Sequence, residues 1–159
     1  MIDKSMQLLS YFTAFILVAL VGIVFYDALV RYFFSEGSIA LQELEWHFFD
    51  VVILLSIAYA LKHDAHVRVD IFYDGFSEKT KALIDIFSLL VFVLPFSFLI
   101  IYIGVGFVEM SYVQHEASSN PGGLSHRWIV KSLMPLAFIF VALSAVERVI
   151  ITFKKLKAL

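Results

Sequence analysis

The sequence contains no cysteine, which excludes disulfides, thiolate metal ligands and thiol nucleophiles and leaves the redox compartment unmarked. Charge is scarce: 16% of residues are Asp, Glu, Lys or Arg, against about 25% in soluble domains. The formal net charge is −2 and no long basic run occurs, which argues against nucleic-acid binding. No Gly-rich phosphate loop, nucleophile elbow or zinc signature is found, so the chain does not read as an enzyme and no catalytic or metal-ligating residue is assigned. Internal repeats and low-complexity segments are also lacking.

Apolar residues dominate instead. The chain is 61% hydrophobic, with 17 Phe and a mean hydropathy of +0.89. A chain of 159 residues cannot hide so much apolar surface in a soluble core; burial in lipid is the simpler account. Four long apolar runs are expected to span the membrane: Leu8 to Tyr32, Leu41 to Leu61, Ala82 to Gln114 and Trp128 to Phe153. Each reaches the roughly 20 residues needed to cross ~30 Å of hydrocarbon as a helix. Helices are required because lipid offers the backbone no hydrogen-bond partner. The fold class is therefore all-α, a single membrane domain over 1–159 built as a bundle of four transmembrane helices.

The first run is read as a retained span. Its basic end is Lys4 alone, offset by Asp3, and the apolar stretch from Met6 to Phe25 exceeds the ~7–15-residue core of a signal peptide. The third run is longer than a bilayer requires, so it must tilt, kink at Pro95 or protrude. Ser118-Ser119-Asn120-Pro121-Gly122-Gly123 is a strong turn signal between the third and fourth runs.

Four spans place both termini on one side. Nine of the 12 Lys and Arg fall on that side and three, Arg31, Arg127 and Lys131, on the other. The positive-inside rule then puts the termini and the Lys62–Lys81 connector in the cytoplasm. Val67, Val69, Ile71, Phe72 and Phe76 alternate with charges in that connector, a pattern suited to the membrane interface. Ser77 is a candidate N-cap for the helix that follows.

Charges near the spans form the candidate sites. Asp27 and Arg31 are four apart and share a helix face. Glu43, His47 and Asp50 make one stripe running inward along the second span, Asp50 reaching deepest. A proton or ion site and a structural polar cluster both fit these five; the structural reading is favoured because Phe87–Ile103 and Leu133–Val146 carry no charge. Trp46 and Trp128 mark the headgroup level, and Arg127 and Lys131 stand beside it, where phospholipid head groups or solvent would meet them.

Two alternatives compete with a scaffolding role. Four-helix membrane cytochromes hold haem between histidines on facing helices, and His47 with His115 or His126 would be the pair, yet none lies deep in a span. Small multidrug exporters use an acid in the first span, but Asp27 lies late in it and Arg31 would neutralise it.

A family resemblance enters on particular residues. Arg31, the entry Gln42-Glu43-Leu44-Glu45-Trp46, and Ala58-Tyr59-Ala60-Leu61-Lys62-His63-Asp64-Ala65-His66-Val67-Arg68-Val69-Asp70 resemble the small (Q-type) membrane subunit of tripartite ATP-independent periplasmic (TRAP) transporters. The Ser118–Leu124 loop followed by Arg127-Trp128 is similar to one branch of that family. The acids at the start of the second span, Glu43 and Glu45, are separated where many members have them adjacent. The resemblance implies a non-catalytic subunit of the bacterial inner membrane, without a cofactor of its own, that braces a large membrane subunit. That larger subunit would hold sodium and substrate, and a periplasmic binding protein would deliver an organic acid. On this reading Asp27, Arg31, Glu43, His47 and Asp50 would stabilise the outer half of the bundle or contact the large subunit. His66, Arg68 and Asp70 would organise the cytoplasmic connector against the scaffold or lipid head groups. Independently of the resemblance, Ser56 and Ala60 form a small-xxx-small pair that permits close helix approach.

Overall fold

The computed structural model describes residues 2–62 and 75–158, with side chains over 7–61 and 75–157. His66, Arg68 and Asp70 lie outside the described residues, as does the apolar and charged pattern from Val67 to Phe72. Among the described residues the chain is all helical, with four helical stretches long and apolar enough to cross a membrane. They are α1 (Ile2–Phe34), α2 (Ile39–Lys62), a composite third stretch and a composite fourth. The third is α3 (Glu78–Ser88), a π-helical turn (Leu89–Val93) and α4 (Leu94–Val113). The fourth is the short α5 (Trp128–Lys131) followed by α6 (Leu133–Ala158).

Local chemistry sets these boundaries. After α1 the chain turns through Ser35, whose φ of 56° is left-handed, and Ser38 Oγ accepts a hydrogen bond from the Leu41 amide at 3.3 Å to start α2. Ser77 caps α3 by accepting from the Thr80 amide at 3.2 Å. Pro95 has no amide proton, so the Val91 carbonyl loses its ordinary helical partner. The backbone answers one turn earlier by widening: the Leu94 amide reaches back to the Leu89 carbonyl, a five-residue step. The third stretch is thus continuous from 78 to 113 rather than broken at Pro95. At 36 residues it measures ~54 Å, well beyond the ~30 Å of hydrocarbon. Its charged first turns stand against the end of α6, where Lys155 meets Glu78 at 2.8 Å and Arg148 approaches Asp85 at 4.0 Å.

The widened turn also keeps a packing register. Buried residues along this stretch are Ala82, Leu89, Ser97, Gly104 and Ser111, steps of seven, eight, seven and seven. The single step of eight spans the π turn, whose extra residue holds the same face toward α6. Four of the five, all but Leu89, are small, and small residues at a near-seven repeat let two helices approach closely along a seam. A Cβ on Gly104 would stand 3.2 Å from Met134 Cε and Pro135 Cδ, tighter than side chains normally pack. From α6, Ala137, Val141, Ala142, Ser144 and Ala145 are buried.

The helices pack as an open row. α1 rests on α2, α2 on α6, and α6 on α4, with α3 against the far end of α6. The core cluster of Ala58, Leu61, Leu89, Val141 and Ala145 sits where α2, the π turn and α6 meet. On α2 it is Ala58, wholly buried, that lets α6 approach; Ser56 and Ala60 are only half-buried, and Ser56 lines a recess toward α1. An apolar groove of about 580 Å³ runs between α2 and α4 with Phe138 and Val141 of α6 as its floor.

Candidate docking site at the turn end

The α1–α2 turn and the 114–127 loop lie at the same end of the row, called here the turn end. The loop is a built structure. α4 ends in a pair of bonds, His115 amide to Tyr112 carbonyl at 3.1 Å and Glu116 amide to Ser111 carbonyl at 3.0 Å, around the left-handed His115. Pro121 and Gly122, whose φ is 79°, make a type II turn closed by the Gly123 amide on the Asn120 carbonyl at 3.0 Å. The loop's two arms are joined by Ser118 to Leu124 at 2.9 Å and Arg127 to Glu116 at 3.1 Å.

Glu43 fastens this loop to α2. Its carboxylate accepts hydrogen bonds from Ser118 Oγ and, at 2.7 Å, from the Leu124 amide, and the Arg127 guanidinium stands 3.5 Å away. Only Gly fits at 123, because a Cβ there would meet Ser118 Cβ at 2.5 Å and Glu43 Oε2 at 2.9 Å. Lys131 secures the other arm: its ammonium pairs with Glu116 and lies 3.9 Å from the centre of the Phe107 ring. That bond from Lys131 is the chief reason the Glu116 carboxyl is held below its ordinary titration range. Trp128 meets Tyr112 edge-on at 5.5 Å, while Trp46 is exposed and meets Phe49 edge-on at 6.2 Å. Arg127 and Lys131 therefore face acids of this chain, in addition to whatever head groups reach them.

The five clustered residues divide into three settings. Asp27 is buried and ion-paired with Arg31 one turn on, whose side chain is half exposed. Glu43 belongs to the loop. His47 lines a recess of about 280 Å³ that His126 also lines, while His115 packs against Tyr112. Asp50, half-buried, lies one turn beyond His47 on α2. Glu45 was missed by the stripe at positions 43, 47 and 50. Two residues from Glu43, it points about 200° around the helix and so faces α1 when Glu43 faces the loop. With Val24, Asp27, Ala28, Arg31 and Tyr32 it lines an open recess of about 560 Å³. Glu45 Oε1 is buried without a hydrogen-bond partner among the described residues. No group of three or more His, Cys, Asp and Glu is arranged to hold a metal ion among those residues.

Four membrane-length helices with their polar groups gathered at one end define a small integral membrane protein held together by packing and loop tethers. The family described as "Tripartite ATP-independent periplasmic transporters, DctQ component" matches residues 20–155. A Haemophilus influenzae protein named "Putative TRAP transporter small permease protein" is 22% identical over 142 residues, covering 89% of this chain and 83% of its own. The chain belongs to the TRAP transporter small permease family. Membership places it among transporter components, apart from the cytochrome and exporter alternatives.

Proposed function

We propose that this chain is the static membrane subunit of a sodium-coupled uptake system for an organic acid. It braces a large membrane subunit, which carries cargo and sodium, while a periplasmic binding protein delivers the cargo. The chain sits in the bacterial inner membrane with both termini and the 62–81 connector in the cytoplasm, so the turn end faces the periplasm. The excess of Lys and Arg on the terminal side supports that orientation. The family description supports a three-component system; sodium and an organic acid follow from the resemblance.

The observation that carries this reading is the open row. α1 is attached through α2 at the edge, and large apolar side chains such as Phe15, Val18 and Tyr102 stand exposed along the helices. Among the described residues the centre of the row is filled by Ala, Ser and Gly together with Leu61, Leu89 and Val141, and no charged side chain is buried there. Such a slab presents broad faces to a second membrane protein. Gentle solubilisation of native membranes should recover a much larger membrane protein with the tagged chain. Uptake in proteoliposomes should require both proteins, the binding protein and a sodium gradient. Solute uptake by this chain alone would end the proposal.

A further inference from the structure

Among the described residues, the recess between α1 and α2 has one more acid than cation and one carboxylate oxygen without a donor. It holds two carboxylates, Asp27 and Glu45, and one guanidinium, Arg31. Asp27 is buried and takes the Arg31 bond. Glu45, half-buried as a residue, turns Oε1 into a buried position where nothing among the described residues donates to it. A buried carboxylate oxygen without a donor is costly. The loop end of the same helix shows the contrast, since Glu43 two residues earlier receives a hydroxyl, an amide and a guanidinium.

The rim fits a protein partner. Tyr32 is 83% exposed beside the recess and Val24 is also exposed, so an aromatic and an aliphatic contact flank the charge. A tyrosine rim around a charged pocket is the composition of an interface anchor point. We infer that the α1–α2 recess receives an arginine or lysine side chain of the large membrane partner, which completes the pairing of Glu45 and Asp27. Arginine fits best, because its fork of donors serves two carboxylates at once. This inference rests on the bracing role proposed above and adds the place and chemistry of one contact.

The test uses the tagged full chain expressed with its native partners. Recovery of the large subunit is compared for wild type, Glu45→Gln and Glu45→Arg, with helicity and unfolding of each purified variant as the check on folding. Glu45→Gln should lower recovery about tenfold, the scale of one lost charge-assisted contact, and Glu45→Arg should abolish it. Replacing each Arg and Lys on the periplasmic half of the large subunit by Glu, one at a time, should restore recovery with Glu45→Arg at one position. A folded Glu45→Arg chain that retains the large subunit at the wild-type ratio overturns the inference. Loss of recovery that no partner Glu restores overturns it as well. Failure of the wild-type chain to recover any large membrane protein would instead sink the bracing role itself.

Discussion

α1 and the fourth stretch are alike as sequences and unlike as parts. Their apolar segments are 28 and 30 residues long, and an 18-residue stretch within each has a hydropathy of 2.5 and 2.2, yet 6% of the first stretch is buried in the protein and 33% of the second. Hydropathy decides that both sit in lipid; it does not decide which is central. The difference lies in side-chain size. α6 offers Ala137, Ala142, Ser144 and Ala145, which let α2 and α4 come close on either side, whereas α1 buries only Thr13 and Asp27 among its described side chains. In a membrane, large apolar residues gain little by leaving lipid for protein, so small residues mark the interior.

That contrast is broken most severely at Ala145, which is wholly buried. Ala145→Leu should destabilise the fold by about 1–3 kcal/mol through overpacking, read from unfolding in mixed micelles. Val18→Ala, at a site 72% exposed on α1, should move the same measurement by less than about 0.5 kcal/mol. Equal effects at the two sites would refute the central-and-edge distinction.

A subtler break lies in the loop. Glu43→Gln should speed hydrogen exchange of the Leu124 amide about tenfold, because that amide loses an ionised acceptor. Amides in the α1 segment from Leu17 to Val24 should not change. An unaltered Leu124 rate would remove Glu43 as the tether.

The smallest effect is in pH. The Glu116 carboxyl titrates below its unfolded value because Lys131 favours its charged form. Its contribution is therefore present above the ordinary glutamate range and fades as pH falls through the lowered folded value. Wild type should lose stability relative to Glu116→Gln on acidification from about pH 5 to pH 3. Parallel melting curves across that window would rule out the contribution.

The helices were legible because lipid imposes length and apolarity directly on the sequence. The Asp27–Arg31 pair was equally open to view, since four residues along a helix fix a shared face. The Glu43 tether was not, because its partners Ser118 and Leu124 lie 75 and 81 residues away and no local period links them. Glu45 escaped for the opposite reason: reading one stripe along α2 conceals an acid that faces the other way. The row was hidden too, because lipid-facing and protein-facing positions are both apolar and periodicity fades. Only the ladder Ser97, Gly104 and Ser111 carries a trace of it.

The surplus residue at Leu89–Val93 bears on how this protein tolerates change in length. A spanning helix ordinarily resists deletion, since each residue lost swings everything beyond it by about 100°. Here one residue is already slack, wound into a wider coil. Losing it together with Pro95's ring, which the wide coil accommodates, would draw the coil back to normal pitch and keep Ala82 and Leu89 on the face of Ser97, Gly104 and Ser111, so a shortening here is coupled to the proline.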